Sequence, residues 1–157
     1  MATTTIPAAS ERDVPQSDEA PSSNLDANCL NILVVDDSDA IRDLMVEKLH
    51  QLIEAGDLSA QIDTARSGEE AIDRFEEKHH DLVLMDVEMP GMGGLSACKY
   101  LKDGGAPRVA MLSSLDSGEA HQAGHQAGCD NYLTKPPNDA DIRVLLRLVS
   151  LRKQVLA

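Results

Sequence analysis

The sequence predicts an α/β fold, a five-stranded parallel sheet flanked by five helices. Three observations carry that prediction. Short continuous apolar runs recur, as in Ile32-Leu33-Val34-Val35, Leu82-Val83-Leu84-Met85 and Val109-Ala110-Met111-Leu112, the signature of strands buried on both faces. Segments with apolar residues at helical spacing separate these runs. Strand and helix alternate along the chain, as parallel strands joined by crossover helices require.

The first strand is Ile32 to Val35. Ser38 to Ile53 follows as a helix, with Ile41, Leu44, Met45, Leu49, Leu52 and Ile53 on its inner face, until Gly56 breaks it. Gln61 to Ala65 is a weaker strand centred on Ile62. Ser67 and Glu70 form a capping box that opens a helix with Ala71, Ile72 and Phe75 on one side. After the strand Leu82–Met85, the Pro/Gly loop Met89 to Gly94 leads into a helix through Leu95, Cys98 and Leu101. The strand Val109–Leu112 comes next. Asp116 to Gln126 is a weak helix, since its inner face holds only Ala120, Ala123 and Ala127, interrupted by Gly124. Its small-residue face suits a mobile switch element. Cys129 to Thr134 is the last strand, and a strongly apolar helix runs from Asp139 onward.

The 157 residues suffice for one domain with a real core. A net charge of −13 argues against nucleic acid and anionic membrane surfaces as partners. No run reaches transmembrane length, and Met1 to Ser10 lacks the basic and apolar blocks of a signal peptide. Cys29, Cys98 and Cys129 are odd in number and form no C-x-x-C pair, so they read as free thiols of a cytoplasmic protein. Residues 1–28 hold mainly small and polar residues and five acids against Arg12, a composition that predicts a disordered, solvated leader rather than a docking tail. The folded domain is expected over 29–157.

Polar groups sit at the expected strand ends. Asp36 and Asp37 follow the first strand, Asp86 the third, Ser113 and Ser114 the fourth, and Lys135 the fifth. Open parallel sheets bind ligands beyond the carboxyl ends of their strands, so these groups should meet at one rim. Three crowded carboxylates favour a hard divalent cation such as Mg²⁺. A hydroxyl and an ammonium opposite it would cradle a phosphoryl group. Taken singly, each residue could be a turn, a helix cap or a surface charge. The combination is what points to a site.

Four segments carry a family resemblance: Ile32 to Ser38, Asp81 to Gly94, Met111 to Ser114, and Ala127 to Pro136. Together they resemble the receiver domain of bacterial two-component response regulators, of the stand-alone chemotaxis-regulator kind, over residues 30 to 155. The resemblance implies a flavodoxin-like sheet of order 2-1-3-4-5. It implies that Asp86 accepts a phosphoryl group from a phosphohistidine. Asp36, Asp37, Asp86 and the backbone carbonyl of Glu88 would hold Mg²⁺. Lys135 would pair with Asp86 or the phosphoryl group, Ser113 would turn its hydroxyl to the phosphate, and Tyr132 would move inward to switch the surface of the fourth helix, fifth strand and fifth helix. The Lys135-Pro136 bond is expected to be cis by the same analogy. Partners would be a histidine kinase or histidine phosphotransfer protein, and a protein target that the sequence does not name. The domain would catalyse only its own phosphorylation and dephosphorylation.

Departures from the family pattern are local. Ser113 replaces the usual Thr and Ser114 the usual Ala. Glu88 adds an acid facing the incoming phosphate, which should change phosphoryl lifetime. Pro137 blurs the start of the last helix. No effector segment follows, so output is expected through a protein contact. In the last helix Ile142, Leu145, Leu146 and Val149 should face the sheet. Val144, Leu148, Leu151 and Val155 form a second stripe that either binds a partner or a second copy, or packs under the leader or stays partly exposed. His121 and His125 have metal-ligand spacing, but no third ligand completes the set, and surface histidines are the plainer reading. The alternatives are a phosphorelay intermediate serving another histidine protein, and a small aspartyl phosphatase of the haloacid-dehalogenase type. The latter also uses strand-end Asp, Ser/Thr and Lys around Mg²⁺, and Asp37-Ser38-Asp39 weakly fits its Asp-x-Asp nucleophile pattern, but the chain has no room for a cap and no late acidic pair at a strand end. A flavodoxin fares worse, for want of a phosphate loop and aromatics.

Overall fold

A computed structural model describes residues 28–156. The leader expected over 1–28 therefore lies, but for Asn28, outside the described residues. The elements are β1 (Cys29–Val35), α1 (Asp39–Ala55), β2 (Ser59–Ala65), α2 (Gly68–Glu77) and β3 (Leu82–Asp86). They continue with α3 (Gly93–Asp103), β4 (Val109–Ser113), α4 (Gly118–Gln126), β5 (Asn131–Thr134) and α5 (Asp139–Leu156). All strand pairs are parallel, in the order β2-β1-β3-β4-β5.

Alternation along the strands divides the core. Ile32, Val34, Leu82, Leu84, Ala110 and Leu112 point to one face, where Met45, Leu49 and Leu52 of α1 and Ile142, Leu145, Leu146 and Val149 of α5 cover them. Leu33, Val35, Val83, Met85, Val109 and Met111 point to the other, under Ile72 and Phe75 of α2 and Ala97, Cys98 and Leu101 of α3. Each fully buried Leu or Ile contributes about 1.5–3 kcal/mol. Lys153 ties the end of α5 to the sheet through the Cys29 carbonyl (2.8 Å) and Asp81 (2.9 Å).

Several local expectations change. β1 and β2 start earlier than their apolar runs suggest, because they pair residue by residue from Cys29 opposite Ser59 to Val35 opposite Ala65. β5 starts at Asn131 rather than Cys129. Asp86 and Ser113 are the last residues of their strands instead of following them. Ser38 caps α1 from outside, its hydroxyl accepting from the Ile41 N–H. Ile41 and Leu44 do not join the inner face of α1: they are 39% and 62% exposed, lining an open apolar hollow with Lys135, Pro136 and Pro137 instead of packing on a strand. The Ser67 hydroxyl accepts from the Glu70 N–H (3.0 Å), but Glu70 reaches back to the Arg66 N–H (2.7 Å), one residue beyond the usual capping box. The doubtful start of α5 resolves at Asn138, whose side chain accepts from the Asp141 N–H (2.7 Å). His121 pairs with Asp116 (2.7 Å) and stacks on Tyr132, not with His125.

His80, just before β3, is buried, with Nε2 2.8 Å from the Asp63 carboxylate and Nδ1 without a partner among the described residues. Burial lowers its pKa below 6.5, outweighing the hydrogen bond to Asp63. The unfolded chain therefore takes up this proton first as pH falls, and the stability His80 confers is lost on acidification through 6.5 and below. Urea unfolding of wild type and His80→Leu should show a gap that changes as pH drops from about 7 to about 5, to the disadvantage of wild type. A constant gap would show that His80 does not titrate differently in the folded chain.

Candidate functional site

The strand order reverses between β1 and β3, and that is where a doubly wound sheet leaves a crevice beyond its strand ends. Asp36 lies directly after β1 and Asp86 ends the neighbouring β3. Both are buried, at 4% and 2% exposure. Asp37 is exposed beside them. Each of the three offers a carboxylate oxygen, and these oxygens lie within 4.8 Å of one another. Lys135, the residue directly after β5 and joined to Pro136 by a cis bond, places Nζ 3.0 Å from both Asp36 and Asp86.

Local structure holds each group. The Asp36 N–H donates to the Ala65 carbonyl (3.1 Å), and its Oδ1 accepts from the Ser38 N–H (2.9 Å). Arg42 donates to the Asp36 carbonyl (2.7 Å). Asp86 Oδ1 accepts from the Glu88 N–H (3.2 Å). Gly94 lets α3 start directly against the end of β3, for a Cβ there would lie 2.0 Å from the Asp86 carbonyl oxygen.

One ammonium serves two buried carboxylates. Burial pushes the Asp86 pKa up to about 6, with Lys135 opposing and Asp36 reinforcing the rise. Burial also works against the Lys135 charge, but its bonds to Asp36 and Asp86 outweigh that and raise its pKa. The remaining negative charge suits a cation. An all-oxygen donor set of this kind fits Mg²⁺, a hard ion that takes carboxylates and keeps several waters.

The buried Ser113 hydroxyl points to Glu88, donating to its Oε2, and accepts from the Leu115 N–H (2.9 Å). Glu88 Oε1 accepts from both the N–H and the hydroxyl of Ser114 (3.3 Å each). The sequence placed Glu88 near the site, but no motif tells that its side chain would cross to β4. Tyr132 is half-buried, its hydroxyl donating to the Leu115 carbonyl (3.0 Å). Its ring packs over Gly124, where a Cβ would come within 2.7 Å of Tyr132 Cδ2. The small-residue face of α4 thus leaves space for the tyrosine. Val144, Leu148, Leu151 and Val155 lie on α5, outside the set of groups gathered at the rim, and are 40–82% exposed. Cys98 is buried and burial raises its thiol pKa to about 12, which removes it as a nucleophile.

Residues 32–147 match the model of the response regulator receiver domain family. The chain is 36% identical over 127 residues to the transcriptional regulatory protein ResD of Bacillus subtilis, covering 78% of this chain and 50% of that one. It is 36% identical over 107 residues to the chemotaxis protein CheY of Halobacterium salinarum, covering 67% of this chain and 83% of that one. The chain thus spans about half the length of the transcriptional regulator ResD and most of the chemotaxis protein. Among solved structures, it matches Vibrio cholerae chemotaxis protein CheY4 with a TM-score of 0.66 at 29% identity, over 77% of this chain and 98% of that one.

Proposed function

The chain belongs to the response regulator receiver domain family of two-component systems, and from that premise we propose that Asp86 is its phosphoacceptor. The observation that carries this reading is Lys135 Nζ set 3.0 Å from a buried Asp86 at the end of β3. The Asp86 carboxylate attacks the phosphorus of a phosphohistidine, the P–N bond breaks, and an acyl phosphate forms as the imidazole leaves. Lys135 and the Glu88 N–H hold the carboxylate in place throughout. Asp36, Asp37, Asp86 and the Glu88 carbonyl would hold Mg²⁺, which when bound offsets charge on the phosphoryl oxygens. The domain is a switch that acts on itself, working in the cytoplasm. Among the described residues no helix is long and apolar enough to cross a membrane.

The phosphodonor is a histidine kinase or histidine phosphotransfer protein. It would seat on the hollow of about 460 Å³ between Ile41 and Leu44 of α1 and the Lys135-Pro136-Pro137 loop, which shares Lys135 with the acidic site. Output passes through a protein contact. The exposed Val144, Leu148, Leu151 and Val155 stripe of α5 supports a partner surface there. Labelling of the chain by acetyl phosphate and Mg²⁺, read by intact mass with Asp86→Asn in parallel, tests the central step.

The output face makes a separate prediction. Leu148→Glu together with Leu151→Glu should abolish partner capture or self-association while leaving acetyl phosphate labelling within about twofold of wild type, as surface changes outside a site usually do. An unchanged sedimentation and pull-down profile would remove α5 from the output surface. Nothing in the site's geometry favours a relay role, handing the phosphoryl group to another histidine protein, over direct output.

A further inference from the structure

Building on Asp86 as phosphoacceptor, we infer that Glu88 is an internal latch: its carboxylate holds the Ser113 and Ser114 hydroxyls in the unphosphorylated chain and must be expelled before either can reach a phosphoryl group. A serine hydroxyl has one hydrogen to donate. That of Ser113 is committed to Glu88 Oε2, and the hydroxyl and N–H of Ser114 are committed to Oε1. The switch hydroxyl is therefore already satisfied by an anion. Phosphorylation exchanges one anion for another on the same donors, and the switch gains less than if the hydroxyl had faced water.

Glu88 is built to release. Its side chain is exposed, so the carboxylate can leave into solvent without opening the core. Its backbone N–H bonds Asp86 independently of the side chain, so truncation leaves the acceptor site assembled. A phosphoryl group on Asp86 carries roughly −1.5 to −2 charge and would repel the carboxylate two residues away. The consequence travels along bonded groups. The Leu115 N–H donates to Ser113 Oγ, and the Leu115 carbonyl accepts from the Tyr132 hydroxyl, so freeing Ser113 bears on the residue that anchors Tyr132. One discrete exchange at Glu88 then biases a two-state element that reaches the surface.

The test uses the full chain with beryllofluoride and Mg²⁺ as the phosphoryl mimic, followed by the backbone amide resonances of Ser113, Ser114, Leu115 and Tyr132. Glu88→Ala should shift the Ser113 and Ser114 amides before any mimic is added. It should also lower the half-saturating beryllofluoride about fivefold to tenfold, the yield of one solvent-facing charge-assisted hydrogen bond. Glu88→Gln, which keeps an acceptor but loses the charge, should fall between. In a Ser113→Ala, Ser114→Ala background the same Glu88→Ala change should alter half-saturation by less than about twofold. An equal gain in both backgrounds would mean that Glu88 acts only by repelling the incoming anion, and the latch is overturned. So is it if the unphosphorylated amides do not move. A wild-type chain that takes no label from acetyl phosphate overturns the phosphoacceptor reading first, and the latch's role with it.

Discussion

Asp86→Asn is expected to bring acetyl phosphate labelling to background while the chain stays folded. The amide cannot form an acyl phosphate, and the remaining carboxylates are ill placed to substitute. Asp36 is buried but tied to Ser38 and Lys135, and Asp37 is exposed without a hydrogen bond from Lys135. The same variant should be more stable than wild type in metal-free buffer. Burial holds the Asp86 pKa at about 6 against 3.8 in the unfolded chain. Between those values the folded chain binds more protons than the unfolded one, so raising pH through this window removes stability. Well above 6 the loss is complete, on the order of 3 kcal/mol for a shift of this size. The advantage of Asp86→Asn should therefore grow from about pH 4 to about pH 6 and then level off. Comparing variant with wild type isolates this effect from that of His80, which has the opposite sign over part of the range. Mg²⁺ should shrink the advantage at neutral pH by binding the ionised wild-type site. Full labelling of Asp86→Asn would place the acceptor elsewhere.

Gly94→Ala should be the most damaging single methyl group in the domain. Its Cβ would stand 2.0 Å from the Asp86 carbonyl oxygen and 2.9 Å from both the Asp86 carbonyl carbon and the Val87 Cα. These are backbone atoms and no side-chain rotation relieves them. Either α3 withdraws, opening the core around Ala97 and Cys98, or the end of β3 moves and takes Asp86 with it. The cost should reach about 3 kcal/mol, the upper range for overpacking, with a fall in melting temperature on the order of 10 °C. Labelling at a temperature where the variant remains folded should still fall, because Asp86, the proposed acceptor, is displaced relative to Lys135. Gly93→Ala is the control. It sits at φ +79 with open space around a Cβ, so it should cost only about 1 kcal/mol and spare labelling. Equal melting temperatures for the two variants would show that α3 yields freely.

Much of this molecule was legible as pattern. Apolar runs such as Leu82–Met85 are buried on both sides, as only a covered parallel sheet allows. The Ile142, Leu145, Leu146 and Val149 stripe turned inward because a helix on a sheet must bury one side. Asp36, Asp37, Asp86, Ser113 and Lys135 were legible as a group because strand ends in such a fold share one rim. Less was visible where two distant segments meet. Ile41 and Leu44 carry the same helical spacing as Met45 and Leu49, yet they face the Pro136-Pro137 loop across a hollow, since periodicity marks a stripe but not how far the sheet extends beneath it.

Strand and helix identity, and the chemistry gathered at the rim, were properties of the chain alone, because burial period and residue type are local quantities. Distances were not. Lys135 stands between Asp36 and Asp86, Gly94 must be bare beneath Asp86, and Glu88 crosses to Ser113 and Ser114. Each of these depends on residues that belong to different elements and meet only when the sheet is assembled. Tertiary packing alone decides such contacts, since a side chain's partner is set by where two backbones are brought together and not by its own sequence neighbours.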